Sequence, residues 1–184
     1  MNDKLFFSQQ YLSQGKIILY PTDTVWGIGC DATNSVAISK VYQLKKREES
    51  KSLIVLVSSL HMLKNYVKVS IKVKEILKNS TKPTTIIYQN PKGFPKNAIA
   101  KDNTIAIRIV QDDFCRKLIK RFGKPIISTS ANISGNPTPK SFKKIDTAIL
   151  DNVDYIVDLH QHKVANKSST ILKVIDDKIV ILRK

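Results

Sequence analysis

Cysteine is scarce in this chain of 184 residues: only Cys30 and Cys115 occur, with no C-x-x-C spacing. The common cysteine-based zinc and redox motifs are therefore missing. Without a secretion signal, two buried thiols are expected rather than a disulfide. The three histidines, His61, His160 and His162, have no metal-ligand spacing with cysteines or carboxylates. No apolar run approaches the roughly 20 residues that span a bilayer, so no membrane association is expected. Residues 1–7 carry an acid and no long apolar stretch, so no signal peptide is expected, and the expected compartment is the cytoplasm. The P-loop, Rossmann and nucleophile-elbow signatures are all missing.

Acidic residues are also few. There are 15 Asp and Glu against 31 Lys and Arg, a formal net charge of +16. A basic surface attracts phosphate-bearing partners such as nucleotides or RNA. Lysine far outnumbers arginine, however, and Ile and Asn are abundant, a bias that coding composition also produces. Charge alone leaves both readings open.

What is present is ordinary for a globular chain: 42% apolar and 25% charged residues. The length suits one domain, 1–184, with roughly 70% of the unfolded surface buried. Short β-type runs alternate with helical ones. Helices are expected over 3–14, with Gly15 as a stop, over 35–45 with Asn34 or Ser35 as cap, from Ser58 or Ser59 through Lys64, and over 69–78. The clearest helix is 112–122. There Phe114, Cys115, Leu118, Ile119 and Phe122 share a face, Asp112 and Asp113 suit the N-terminal end, and Gly123 stops it. Strands are expected over 16–20, 53–57, 84–88, 104–109, 124–128, 155–158, 170–175 and 178–182, the last two as a hairpin around Asp176 and Asp177. Residues 22–29 read as loop or bent strand, and 90–103 as the longest loop. The pattern indicates an α/β fold with a mixed sheet.

Polar clusters follow several of these strands. Thr22 and Thr24 sit in a Pro- and Gly-punctuated segment, and loops at strand ends commonly carry binding residues. A turn whose threonines only satisfy the backbone is the competing reading. Lys45 and Arg47 lie two apart; on an extended chain both face one way and converge on an anion, whereas charge runs at helix ends are usually solvated. The segment 128–135, with Lys140 beyond it, offers hydroxyls and an amide for a phosphate nest or forms an ordinary turn. Arg108 alternates with Ile105, Ile107 and Ile109, which leaves it on the opposite side of its strand, a position that a plain solvent-facing residue also occupies. These residues point to a nucleotide or other anion site and name no reaction.

In order along the chain, LYPTDTVWGIGCDA, LKKREESKSLIVLV, TKPTTII, IAIRI, STSANISGNPTP, SSTIL and ILRK resemble the successive motifs of the YrdC family of threonylcarbamoyl-AMP synthases. The resemblance implies an open twisted mixed sheet flanked by helices, with a concave basic cavity. It implies a reaction of L-threonine, bicarbonate and ATP, with Mg2+, that gives threonylcarbamoyl-AMP and pyrophosphate. A downstream threonylcarbamoyl transferase complex then modifies tRNA. By the same resemblance, Thr24 and Ser130 contact threonine and Arg108 is its carboxylate partner. Lys45, Arg47 and Lys51 hold ATP phosphates, and Asn132 contacts the nucleotide. Ser169 and Thr170 line the cavity on the substrate side, Lys140 and Arg183 on the nucleotide side. No covalent nucleophile and no protein metal ligand are assigned.

The sequence departs from the family pattern at Asp23, Trp26, Glu48, Lys82 and Thr84, which bears on fine pocket geometry. It resembles the form without an additional C-terminal domain. The alternative reading is a catalytically divergent paralogue that binds nucleotide, tRNA or double-stranded RNA. A carbamoyl-adenylate role like that of the related hydrogenase-maturation domain lacks its companion modules here.

Overall fold

The computed structural model describes residues 1–49, 53–164, 168–175 and 178–183. Nine strands form one mixed sheet in the order β7-β1-β2-β6-β3-β5-β4-β8-β9. They are β1 (Ile18–Tyr20), β2 (Gly27–Gly29), β3 (Ile54–Val57), β4 (Thr84–Gln89), β5 (Thr104–Ile109), β6 (Ile126–Ser130), β7 (Tyr155–Ile156), β8 (Thr170–Ile175) and β9 (Lys178–Arg183). β3 pairs in parallel with β5 and antiparallel with β6, and β4 pairs antiparallel with β5 and in parallel with β8. The helices are α1 (Asn2–Ser13), α2 (Ser35–Leu44), α3 (Leu60–Lys64), α4 (Ile71–Asn79), α5 (Asp113–Phe122) and α6 (Thr147–Leu150).

The pleat divides the apolar residues between two cores. Val55, Val57, Ile107 and Ile127 point to one face, where residues of α2, α3, α4 and α6 cover them. Leu56 and Ile126 point to the other, beneath Leu5 and Leu12 of α1 and Phe114, Leu118 and Ile119 of α5. Alternation along each strand makes this division inevitable. Helix α5 is defined by local signals: the Asp112 carboxylate accepts from the Cys115 amide at 2.8 Å, and Gly123 takes a left-handed φ of 79° at the end. Both cysteines are free and buried, as expected, and burial pushes both thiols up.

β2 falls where the sequence reads as loop or bent strand. Its glycines are a packing requirement: a Cβ on Gly29 would lie 2.6 Å from the Ile127 carbonyl oxygen and 2.6 Å from the Tyr20 ring. The long loop 90–103 contains a short 3-10 turn at Lys96–Ala98, and α6 is capped by Asp146; neither has a clear sequence signal. The expected hairpin turn at Asp176 and Asp177 lies outside the described residues.

Candidate active site

Helices α1 and α5 cover only part of their face of the sheet. The remainder, presented by Ile54, Ala106, Arg108 and Ser128, lines a cavity of about 340 Å3. Thr24, Ser130, Ser169, Arg47 and Arg183 also line it, and among the described residues no carboxylate does. Two larger concavities lie elsewhere, both against Tyr66. Convergent chemistry rather than size selects this one.

Arg108 lies on the cavity face of β5 and is 3% exposed, not on a solvent side. Its Nη2 lies 2.9 Å from Oδ1 of Asp23, with both side chains buried. The contact is an ion pair without hydrogen-bond alignment, because Asp23 Oδ1 and Arg108 Nε both lack hydrogen-bond partners. Nη2 also donates to Thr24 Oγ1 at 3.5 Å. The other Asp23 oxygen accepts from the Gln111 amide at 3.1 Å, which ties the 22–24 loop to the end of β5. Within that loop Thr22 Oγ1 donates to the Val25 carbonyl at 2.7 Å and lies 3.0 Å from Thr24 Oγ1. The Thr24 hydroxyl is thus placed by its neighbours at the cavity wall.

Lys45 and Arg47 do not lie on an extended chain. The α2 terminus closes with the Lys46 amide donating to the Gln43 carbonyl and the Arg47 amide to the Tyr42 carbonyl, with Lys46 at a φ of 47°. This turn separates the two cations. Arg47 reaches the cavity, whereas Lys45 is 1% exposed and does not line it. Its Nζ donates to the backbone carbonyls of Ser130 and, at 2.5 Å, of Asn132. Burial, and then the charge of Arg47, bring the Lys45 pKa down to about 7. The expected convergence of Lys45 and Arg47 on one anion through extended geometry is therefore corrected.

Asn132 also turns inward: its Nδ2 donates to the carbonyls of Ile133 at 3.0 Å and Asn136 at 2.7 Å. Lys140 is exposed and, like Thr170, is not among the cavity-lining residues. Lys51 lies outside the described residues. Ser169 and Arg183 meet at the wall, with Arg183 Nε donating to the Ser169 carbonyl at 3.0 Å. The Ser169 hydroxyl lies 2.9 Å from Thr85 Oγ1. Burial, and then the charge of Arg108, lower the proton affinity of Arg183. The two guanidiniums therefore feel each other, a repulsion that a bound anion relieves. Thr129, Thr138 and Ser168 also line the cavity, without individual sequence signals. Asp23 stands out in the sequence only as a departure from a motif.

A family model for Sua5, YciO and YrdC proteins, described as "Telomere recombination", matches residues 10–184. The chain belongs to the Sua5/YciO/YrdC family. Family relatives carry consistent names. A protein of Methanocaldococcus jannaschii, provisionally named a threonylcarbamoyl-AMP synthase, is 38% identical over 98% of this chain and 84% of its own length. The threonylcarbamoyl-AMP synthase of Pseudoalteromonas translucida is 34% identical over 80% of this chain and 81% of its own. In fold, the chain superposes on P. abyssi Sua5 complexed with L-threonine with a TM-score of 0.88, at 24% identity. That alignment covers 97% of this chain and 53% of the Sua5 chain, so this chain spans about half the Sua5 length.

Proposed function

We propose that this Sua5/YciO/YrdC-family chain is an L-threonylcarbamoyladenylate synthase. The observation that carries the reading is the convergence of Thr24, Arg108 and Ser130 with Arg47 and Arg183 in one cavity, from separate segments of the chain. The names of the relatives and the threonine complex of P. abyssi Sua5 support the same reading. A volume of about 340 Å3 falls in the range of small-molecule sites.

In this reading the threonine amine attacks bicarbonate, water is lost, and an N-carboxylate forms. A carbamate oxygen then attacks the α-phosphorus of ATP, the bond to the β-phosphate oxygen breaks, and pyrophosphate leaves. The step is a nucleotidyl transfer and needs no covalent enzyme intermediate. Arg108 and the Thr24 hydroxyl hold the threonine end, and Arg47 and Arg183 hold phosphate oxygens. Orientation and stabilisation of developing phosphate charge carry the rate. Among the described residues no cluster of three His, Cys, Asp or Glu exists to cage a metal. Magnesium would be supplied with ATP as its substrate complex and would offset phosphate charge beside Arg47 and Arg183. The product serves a transferase complex that modifies tRNA in the cytoplasm. No helix among the described residues is long and apolar enough to cross a membrane.

The test is pyrophosphate release from ATP with threonine and bicarbonate omitted in turn. Release that requires both supports the synthase. Release that ignores threonine overturns it, and no release with ATP still bound favours a nucleotide-binding paralogue.

A further inference from the structure

The larger of the two concavities against Tyr66, about 790 Å3, opens on the sheet face opposite the active-site cavity. Val67, Val73 of α4 and Val174 of β8 give it an apolar wall, to which β4 adds Tyr88. Lys64, Lys68 and Lys92 stand exposed around it. Among the described residues these lysines ion-pair with no carboxylate, and no carboxylate lines the cavity.

Tyr88 is 5% exposed, and its hydroxyl has no hydrogen-bond partner among the described residues. Burial pushes its ionisation up, so the group stays a neutral donor. A donor left unpaired at such depth is costly, and a ligand atom that accepts from it removes the cost. Ser70 lies on the same cavity, and its Oγ accepts from the Val73 amide at 3.3 Å to start α4 there. The positive end of that helix adds to the field of the lysines. The opposite wall is fixed: the Tyr66 ring packs on Phe94 at 4.9 Å, and the Lys92 amide donates to the Tyr66 carbonyl at 2.8 Å. Gly93, at a φ of 75°, leaves room for the ring, since a Cβ there would lie 3.3 Å from it.

We propose that this cavity binds a small amphipathic acid, an apolar body roughly the size of a naphthalene that ends in a carboxylate. The valines and the tyrosine rings suit the body, and the Tyr88 hydroxyl, the lysines and the start of α4 suit the anion. An inorganic anion would gain nothing from the apolar wall, and an uncharged hydrocarbon nothing from the cations. The volume and the mixture of apolar lining with a few placed polar groups are those of small-molecule sites. Ile87 lines this cavity and the active-site cavity alike, so the test must separate the two.

The probe is 8-anilinonaphthalene-1-sulfonate, whose fluorescence rises when it leaves water for an apolar site. Titration into the folded protein should show saturable binding to a single site, with displacement by 1-naphthoate. The same body without its anion, N-phenyl-1-naphthylamine, should bind about tenfold more weakly or worse. Lys64→Glu/Lys68→Glu should weaken binding of the sulfonate about tenfold at low salt. Tyr88→Phe should weaken it about threefold, the loss of one hydrogen bond. Lys143→Glu/Lys144→Glu, the same charge change at exposed residues outside the cavity, should match the wild type. Absence of saturable binding, equal affinity for the uncharged body, or a loss in the control equal to that of Lys64→Glu/Lys68→Glu would each overturn the proposal. So would displacement by ATP, which would place the probe in the active-site cavity, or by sulfate at matched ionic strength, which would make the site one for any anion. Binding here does not depend on the synthase reading, and a chain without synthase activity that passes these tests upholds it.

Discussion

Asp23 and Arg108 form a buried ion pair, Oδ1 to Nη2 at 2.9 Å, that joins the loop after β1 to the floor of the cavity. The pair leaves Arg108 Nε without a hydrogen-bond partner, while Nη2 reaches Thr24 at 3.5 Å. Asp23 therefore orients the two groups that would hold threonine, although Asp23 does not itself line the cavity.

Asp23→Asn removes the charge that Arg108 faces. Loss of one partner of a buried pair costs about 3–5 kcal/mol. Denaturant unfolding should register that loss, and steady-state kinetics should show a raised KM for threonine with the KM for ATP little changed. A rise confined to ATP would contradict the positioning of Thr24 and Arg108 by Asp23.

Arg47→Ala should weaken ATP binding by about 1.5–3 kcal/mol, the range of hydrogen bonds to charged groups. Isothermal calorimetry in the absence of threonine measures this directly. Unchanged affinity would remove Arg47 from the phosphate site.

Lys45 links stability to pH. Its folded pKa is lowered to about 7 from an ordinary 10.5, so the folded state binds fewer protons than the unfolded state between those values. Stability should therefore rise with pH through that window, by up to about 1.4 kcal/mol per unit, so the gain is lost as pH falls from about 10.5 to about 7 and the curve is flat below that. Lys45→Met should flatten this slope in urea titrations at a series of pH values. A slope that persists in the variant would assign it to another group.

Gly29→Ala should destabilise the fold by about 1–3 kcal/mol, since the added methyl meets the Ile127 carbonyl and the Tyr20 ring. Thermal unfolding provides the measure. A melting temperature equal to the wild type would show that β2 can shift to accept it.

Much of the architecture was legible because its determinants are local. The α5 face of Phe114, Leu118 and Ile119, its Asp112 cap and its Gly123 stop are written within a dozen consecutive residues. The apolar run before Ser58 can only be a buried strand once it is too short for a helix. The ordered motifs contribute Thr24, Arg47, Arg108, Ser130, Ser169 and Arg183 to the lining of one cavity, but not Lys45, Asn132, Lys140 or Thr170.

Which way each cation faces was not legible. Strand alternation sets Arg108 opposite Ile107, but only the partial cover of α1 and α5 turns that side into a cavity rather than solvent. The left-handed turn at Lys46 sends Lys45 beneath Ser130 and Asn132, 85 and 87 residues away, and no spacing rule predicts such a contact. The sequence by itself determined the elements and the chemical repertoire, because capping, periodicity and strand length act over a few residues. The tertiary structure alone decided which charges are paired, buried or presented to substrate, because those depend on burial and on partners far apart in the chain.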